Sequence, residues 1–188
     1  VPADCIIKIF TVSGVLVDEI HVSNTPENGI IHWDMLTREN LEIAALISCG
    51  VQACSHLEIF SDLYPIREIH IFGRGLPNQI KLKQIAEVRG IKTIIAKSGA
   101  DAMTHADLIV TSIPYSPTMT PFLSASDVKA GAFITMVDLG RSWFPETFDE
   151  FDCIIVDDKV QEANMKSPML DMELVSGDLR DLVNGLIT

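Results

Sequence analysis

The sequence predicts an α/β fold: a doubly wound, mostly parallel sheet with helices on both faces. Three observations carry this expectation. Ile43–Ile47 is a short apolar run, the mark of a strand buried on both faces. Further strand-like runs recur at Ile69–Phe72, Lys92–Ala96, Leu108–Ile113 and Ala132–Val137. Helix-like segments separate them, and strand–helix alternation implies parallel pairing through crossovers. The 188 residues are 47% hydrophobic, enough for a real core.

Each element follows from its own residues. Cys5–Phe10 and Val15–Val22 read as a hairpin turning at Ser13-Gly14. Ser23 to Asn40 is rich in turn formers and reads as a connection, with a short helix near Trp33–Arg38. After Ile47 comes a small-residue turn, Ser48-Cys49-Gly50, and then Val51, Cys54, Leu57 and Phe60 at helical spacing. Pro65 helps end that helix. Gly75–Asn78 reads as a loop, and Ile80–Arg89 as a helix with Ile80, Ile85 and Val88 on one side, lysines on the other and Gly90 as a plausible C-cap. Gly99–His105 is a short helix or loop, and Pro114 halts the strand before it. Leu123–Val128 and Pro145–Asp152 read as short helices, with Pro145 near the first helical position. Cys153–Val156 reads as a sixth strand, a helix starts within Asp157–Met165, and Asp178–Leu186 is a last amphipathic helix. No repeat or low-complexity tract interrupts this order.

Charge and composition exclude several classes. A net charge of −12 argues against nucleic acid, whose phosphates need a basic face, and against an anionic membrane surface. No run reaches the length of a membrane span. No basic-then-apolar leader precedes the first strand, so a cytoplasmic location is expected, although a start at Val1 reads as processed or cut from something longer. Cys5, Cys49, Cys54 and Cys153 lack zinc or C-x-x-C spacing and read as buried reduced thiols. The alternative is a reactive, lowered-pKa Cys49 at a helix start. The histidines are scattered, and no metal site is expected.

Ligands of open α/β sheets bind beyond the carboxyl ends of the strands, where strand order reverses. That edge should gather four loops: Ser48–Gln52, Gly73–Leu76, Thr111–Tyr115 and Asp138–Trp143. The first carries a partial G-x-G-x-x-A phosphate fingerprint, with Gly50 and Ala53 in place and Ser48 at the first glycine. Serine takes a positive φ only at a cost. A helix N-terminus after Gly50 suits a pyrophosphate. The site expected of a Rossmann-type, dinucleotide-binding domain thus comprises Ser48, Cys49, Gly50, Val51, Gln52, Gly73, Arg74, Thr111, Ser112, Ile113 and Val137. The second strand ends Phe72-Gly73-Arg74, with no carboxylate for a ribose 2′-OH. Arg74 lies where a 2′-phosphate would sit, which favours NADP over NAD; a solvated loop residue is the alternative.

Gly50-Val51-Gln52-Ala53, Ser55-His56 and Glu58-Ile59-Phe60 resemble the "GAGVQA.SH.EIF" segment of the ornithine cyclodeaminase/mu-crystallin family. Ala106–Thr111 resembles its "ADIVVT", Lys129–Ala132 its "KPGAH", Val156-Asp157 its "VDS", and Ser176–Leu179 with Leu182–Gly185 its closing "GDL…EL…G". The resemblance runs from Glu42 to Leu186 and is faint before. It implies an NAD(P)-dependent oxidoreductase or cyclodeaminase acting on an amino or imino acid. It also implies that residues 1–40 are a hairpin and connection left from a substrate domain, and 41–188 the dinucleotide-binding domain. The family's Arg-Thr-Ala-Ala motif is absent, and Arg38 is the lone arginine of its piece. The family's aspartate in the loop after the fifth strand aligns with Gly140, leaving Asp138 as the nearest candidate catalytic carboxylate; a strand-end cap is the alternative. Family members pair through their substrate domains, so a homodimer of this chain is expected to be weak or to use another face. The alternative to an enzyme is a shortened, non-catalytic binding or dimerisation module.

Overall fold

In the computed structural model, residues 4–10, 16–23, 41–166, 168, 170–184, 186 and 187 are described, the first two segments by backbone alone. The chain forms two compact units, Arg38–Glu150 and a second made of Val1–Thr37 with Phe151–Thr188.

The larger unit holds β3 (Ile43–Ile47), β4 (Glu68–Phe72), β5 (Lys92–Ile95), β6 (Leu108–Thr111) and β7 (Phe133–Met136). They form one five-stranded parallel sheet in the order β5-β4-β3-β6-β7. Helices α1 (Val51–Leu63) and α2 (Leu76–Val88) connect β3 to β4 and β4 to β5. The chain then crosses back through α3 (Gly99–Met103) to β6. Right-handed crossovers place α1 and α2 on one face and α3 on the other, so the sheet is doubly wound. The centre strands are apolar because both of their faces are covered: Ala45, Ile69, Ile71, Leu108 and Ile109 are fully buried.

The buried helix faces cut across the apolar spacing. In α1 the buried positions are Ala53 and Leu57, whereas Val51, in the first turn, is 78% exposed. In α2 Leu82 and Ala86 are buried, while Ile80 and Val88 face outward. This helix starts at Leu76, where a loop is expected, because Pro77 is accommodated in a first turn that needs no amide donor. Leu123–Val128 and Pro145–Asp152 are reduced to 3₁₀ turns at Ala125–Asp127 and Pro145–Glu150.

Asp107 ties three strands together at the amino edge of the sheet. Its carboxylate accepts from the Glu42 and Ile43 N–H groups (3.0 and 2.8 Å) and from the Lys129 ammonium. Burial pushes this carboxyl up, but the Lys129 and backbone hydrogen bonds outweigh that and hold it below the usual carboxylate range. A lowered folded-state pKa contributes stability above the unfolded value of about 3.9, lost as pH falls through the folded value. Asp107→Ala should cost about 2 kcal/mol at neutral pH, measured by urea unfolding. The difference from the parent chain should shrink in acid; an unchanged gap at low pH would refute the assignment.

The smaller unit contains the antiparallel pair β1 (Asp4–Phe10) and β2 (Leu16–Ser23), in register from Asp4 opposite Ser23. The expected turn at Ser13-Gly14, the helix near Trp33–Arg38 and Arg38 itself lie outside the described residues. The expected sixth strand does not extend the large sheet. Instead β8 (Ile155–Val156) pairs in parallel with β9 (Gly177–Asp178). A Cβ at Gly177 would fall 1.8 Å from Ile187 Cδ1 and 3.2 Å from Asp181 Cβ, so a larger residue there would displace these side chains. Several acidic side chains of this unit serve as caps. Asp158 caps α4 (Lys159–Ala163) and pairs with Arg180 at 3.3 Å, while Asp178 and Asp181 form a capping box for α5 (Leu179–Val183).

Candidate functional site

Strand order reverses between β3 and β6, and the four loops expected there leave the same edge of adjacent strands. Backbone hydrogen bonds fix them: Ser48 N–H donates to Phe72 O (2.8 Å), Ser112 N–H to Ile47 O (3.1 Å) and Val137 N–H to Thr111 O (2.8 Å). Ser48, Cys49, Gly50 and Gly73 therefore lie on one side of the switch point, and Thr111, Ser112, Val137 and Asp138 on the other.

The phosphate-type turn is built despite its missing glycine. Ser48 has φ +115°, a conformation natural to glycine, so the fold imposes the turn on serine at a cost of about 1–3 kcal/mol. Its Oγ accepts weakly from the Gly50 N–H at 3.4 Å. Gly73 is a glycine because a Cβ would sit 2.9 Å from Cys49 Sγ and 3.3 Å from the Cys49 nitrogen, so the end of β4 lies against this turn. Gly50 is different: its Cβ would meet only Ser48 Oγ, at an ordinary 3.7 Å, with φ −81° and ψ −166° open to any residue. No side chain caps α1, and its first turn carries no acidic residue. The amides of Val51 and Gln52 begin this 13-residue helix, both residues being exposed at its tip. Uncapped donors at the positive end of a helix dipole form an anion site.

Cys49 is buried at the turn, and burial, with a smaller contribution from Cys54, pushes its thiol up to about 11. It stays protonated at neutral pH, which overturns the alternative of a reactive thiol. Cys153 is exposed and Cys54 half-buried, so burial of every thiol does not hold either. Arg74 is exposed beyond β4, without an ion pair among the described residues. The Gln79 amide donates to Gly73 O (2.7 Å) and steadies that loop. His56 lies within α1, its Nδ1 2.7 Å from Gln52 O and its ring 5.8 Å from Phe60, as a packed helix histidine does.

On the other side, Asp138 is 7% exposed and both carboxylate oxygens are engaged. Thr111 Oγ1 donates to Oδ1 (2.8 Å) and Ser142 Oγ to Oδ2 (2.7 Å), while the Trp143 indole N–H lies 3.4 Å from Thr111 Oγ1. Asp138 thus joins the end of β6 to the loop after β7. Ile113 is half-buried beside it. Sequence reasoning placed Tyr115, Arg141, Ser142 and Trp143 within converging loops but singled none of them out. The Arg141 guanidinium lies over the Tyr115 ring, 5.2 Å from its centroid. The available signal was an arginine and an aromatic residue in loops leaving neighbouring strands. Among the described residues no group of His, Cys, Asp and Glu is placed to hold a metal ion, and no helix is long and apolar enough to cross a membrane.

Comparison with known proteins agrees with this geometry. The chain is 30% identical over 149 residues to the ketimine reductase mu-crystallin of Macropus fuliginosus, a match covering 77% of this chain and 46% of that protein. The chain therefore spans about half the length of this curated relative. Among solved structures, a Thermococcus litoralis Δ1-pyrroline-2-carboxylate reductase, determined with NADH and L-proline, superposes with a TM-score of 0.64 at 20% identity, covering 80% of this chain and 50% of that one. An archaeal alanine dehydrogenase dimer with bound NAD superposes with a TM-score of 0.64 at 22% identity, covering 80% and 49%. Both share the Rossmann-like fold. The sequence model described as the ornithine cyclodeaminase/mu-crystallin family matches residues 25–146. With that match spanning well over half of its residues, this chain belongs to the ornithine cyclodeaminase/mu-crystallin family.

Proposed function

We propose that the chain is the NAD(P)-binding part of an oxidoreductase or cyclodeaminase that acts on a small amino or imino acid. The observation that carries this is the uncapped first turn of α1, set at the switch point behind a turn whose Ser48 adopts φ +115°. Family membership supports it, as do relatives solved with NADH or NAD. In this reading the Val51 and Gln52 amides hold the pyrophosphate, and the open face of Gly50 lets it approach. Thr111, Ser112, Ile113 and Val137 line the far side, where the nicotinamide end would rest. The cofactor, when bound, supplies or accepts a hydride. The chain's own share is to hold and orient it, with Asp138 positioning the β6 and β7 loops rather than touching the reacting atoms.

NADP(H) is the preferred cofactor in this proposal, because Arg74 is exposed beyond β4, with no ion pair among the described residues, where a 2′-phosphate would lie, and Gly73-Arg74-Gly75 offers no carboxylate to a 2′-OH. A cytoplasmic location belongs to the same reading, supported by free thiols at Cys49, Cys54 and Cys153. Calorimetric titration tests both levels. The chain should bind NADPH saturably, and Arg74→Ala should weaken NADPH about tenfold while leaving NADH nearly unchanged. Equal losses for both cofactors would remove the 2′-phosphate role. Binding of neither by the unmodified chain would remove the nucleotide site and favour a non-catalytic module.

A further inference from the structure

Two cysteines flank the turn that opens α1, and the nucleotide reading uses neither sulfur. Gly50 is the N-cap of this helix, so Cys49 holds the position just before the cap and Cys54 the fourth helical position. Side chains at these two positions meet across the first turn, where an apolar pair commonly fixes the angle at which the chain enters a helix. The Cys54 N–H donates to Gly50 O at 3.2 Å, which closes the turn between them. Burial pushes the Cys49 thiol up and the Cys54 sulfur adds to that push, so the two thiols lie within electrostatic reach of each other.

The surroundings of the two sulfurs differ. Cys49 is 7% exposed, and its Sγ fills the notch left by Gly73, where a Cβ would stand only 2.9 Å from it. Cys54 is half-buried, next to the buried Ala53, and is the sulfur that a small solute reaches. One accessible thiol with a second, sheltered thiol across the same turn is the arrangement of an attacking and a resolving cysteine.

We propose that Cys49 and Cys54 form an oxidation site, a dithiol that a hydroperoxide converts to a disulfide across the first turn of α1, and that this bond weakens nucleotide binding at the same turn. The Cys54 sulfur, as thiolate, attacks one peroxide oxygen. The O–O bond breaks, the other oxygen leaves with a proton as water or an alcohol, and Cys54 becomes a sulfenic acid. The Cys49 thiol then gives up its proton, and its sulfur displaces the hydroxyl from Cys54, which forms the S–S bond and releases water. Two thiols thus lose two electrons and two protons, and the hydroperoxide takes them up. Cys49 does not begin the reaction, because its buried thiol stays protonated at neutral pH. To bond with Cys54, the Cys49 sulfur leaves its place against Gly73. The Cys49 backbone joins Ser48, at φ +115°, to Gly50, so a shift there moves the Val51 and Gln52 amides that follow. The effect on binding rests on the nucleotide reading; the disulfide rests on the placement of the two cysteines alone.

Peptide masses and calorimetry test the two parts. No lysine or arginine separates the pair, so one tryptic peptide, residues 39–67, carries both cysteines. After the full chain is treated with hydrogen peroxide and then N-ethylmaleimide, this peptide should be lighter by two hydrogens and carry no maleimide. Prior treatment with dithiothreitol should restore labelling of both cysteines. The oxidised chain should bind NADPH about tenfold more weakly and recover with dithiothreitol, whereas Cys54→Ser should keep its NADPH affinity through the same peroxide treatment. Maleimide on both cysteines after peroxide, oxidation of single sulfurs beyond the sulfenic acid, or a bond to Cys5 or Cys153 instead would overturn the site. A disulfide that leaves NADPH affinity unchanged, or an equal loss in Cys54→Ser, would overturn its effect on binding. Failure of the reduced chain to bind NADPH would defeat the nucleotide reading instead, and the peptide masses still decide the disulfide.

Discussion

Gly50→Ala is expected to lower nucleotide affinity by roughly a hundredfold while leaving the fold and its thermal midpoint nearly unchanged. The separation of the two effects follows from geometry. A Cβ at Gly50 meets only Ser48 Oγ, at 3.7 Å, and the residue's φ of −81° suits alanine. In the proposed nucleotide site a methyl group at Gly50 would stand between the first-turn amides and a pyrophosphate. Gly73→Ala makes a useful contrast, since its Cβ would press on Cys49 at 2.9 Å and destabilise the turn itself. Ser48→Gly relieves the φ of +115° and should leave nucleotide binding intact or tighter. Calorimetry with NADPH, paired with thermal unfolding, reads all three. A Gly50→Ala chain that binds as well as its parent would show that no phosphate approaches this helix.

Asp138→Ala should destabilise the chain by about 3 kcal/mol. Its two oxygens accept from Thr111 and Ser142 at 2.8 and 2.7 Å in a site where Asp138 is 7% exposed and Ser142 and Thr111 are fully buried. Removing the carboxylate leaves two buried hydroxyls without their acceptor and loosens the Trp143 indole that lies beside Thr111. Asp138→Asn keeps one carbonyl acceptor, and the amide can donate to a reoriented hydroxyl, so it should cost less than half as much. Urea unfolding measures this difference. A catalytic acid or base would show the opposite ranking in activity: a severe defect in the stable asparagine variant. Near-normal turnover by Asp138→Asn in the complete enzyme would support a positioning role; severe loss with unchanged stability would refute it.

Much of this protein is legible in its residues alone. The α/β class and the five parallel strands follow from β-rich runs at Ile43–Ile47, Ile69–Phe72, Lys92–Ala96, Leu108–Ile113 and Ala132–Val137, the central ones apolar because a strand covered on both faces has little choice but to be so. The helix start after Gly50 and the convergence of four loops follow from strand–helix alternation and the rule of the switch point. The family resemblance is carried by nine residues between Gly50 and Phe60, and by the shorter stretches after them.

Tertiary structure decided what local pattern could not. Helical spacing groups Val51 with Cys54, Leu57 and Phe60, and Ile80 with Ile85 and Val88, whereas packing leaves Val51, Ile80 and Val88 exposed and buries Ala53, Leu82 and Ala86. The run Cys153–Val156 reads as a strand by its residues; only long-range pairing decides that Ile155-Val156 joins Gly177-Asp178. Ser48 is a poor choice for a positive φ by its own preference, and only the ladder to Phe72 on one side and the α1 start on the other hold it there. Asp138 could cap its own turn or face the crevice as far as sequence goes. Its engagement by Thr111, 27 residues away, depends on two strands lying side by side. The meeting of Tyr115 with Arg141 has the same origin. Sequence period sets which residues want burial and which backbone shapes are cheap; contacts between distant segments set which of those preferences is overruled.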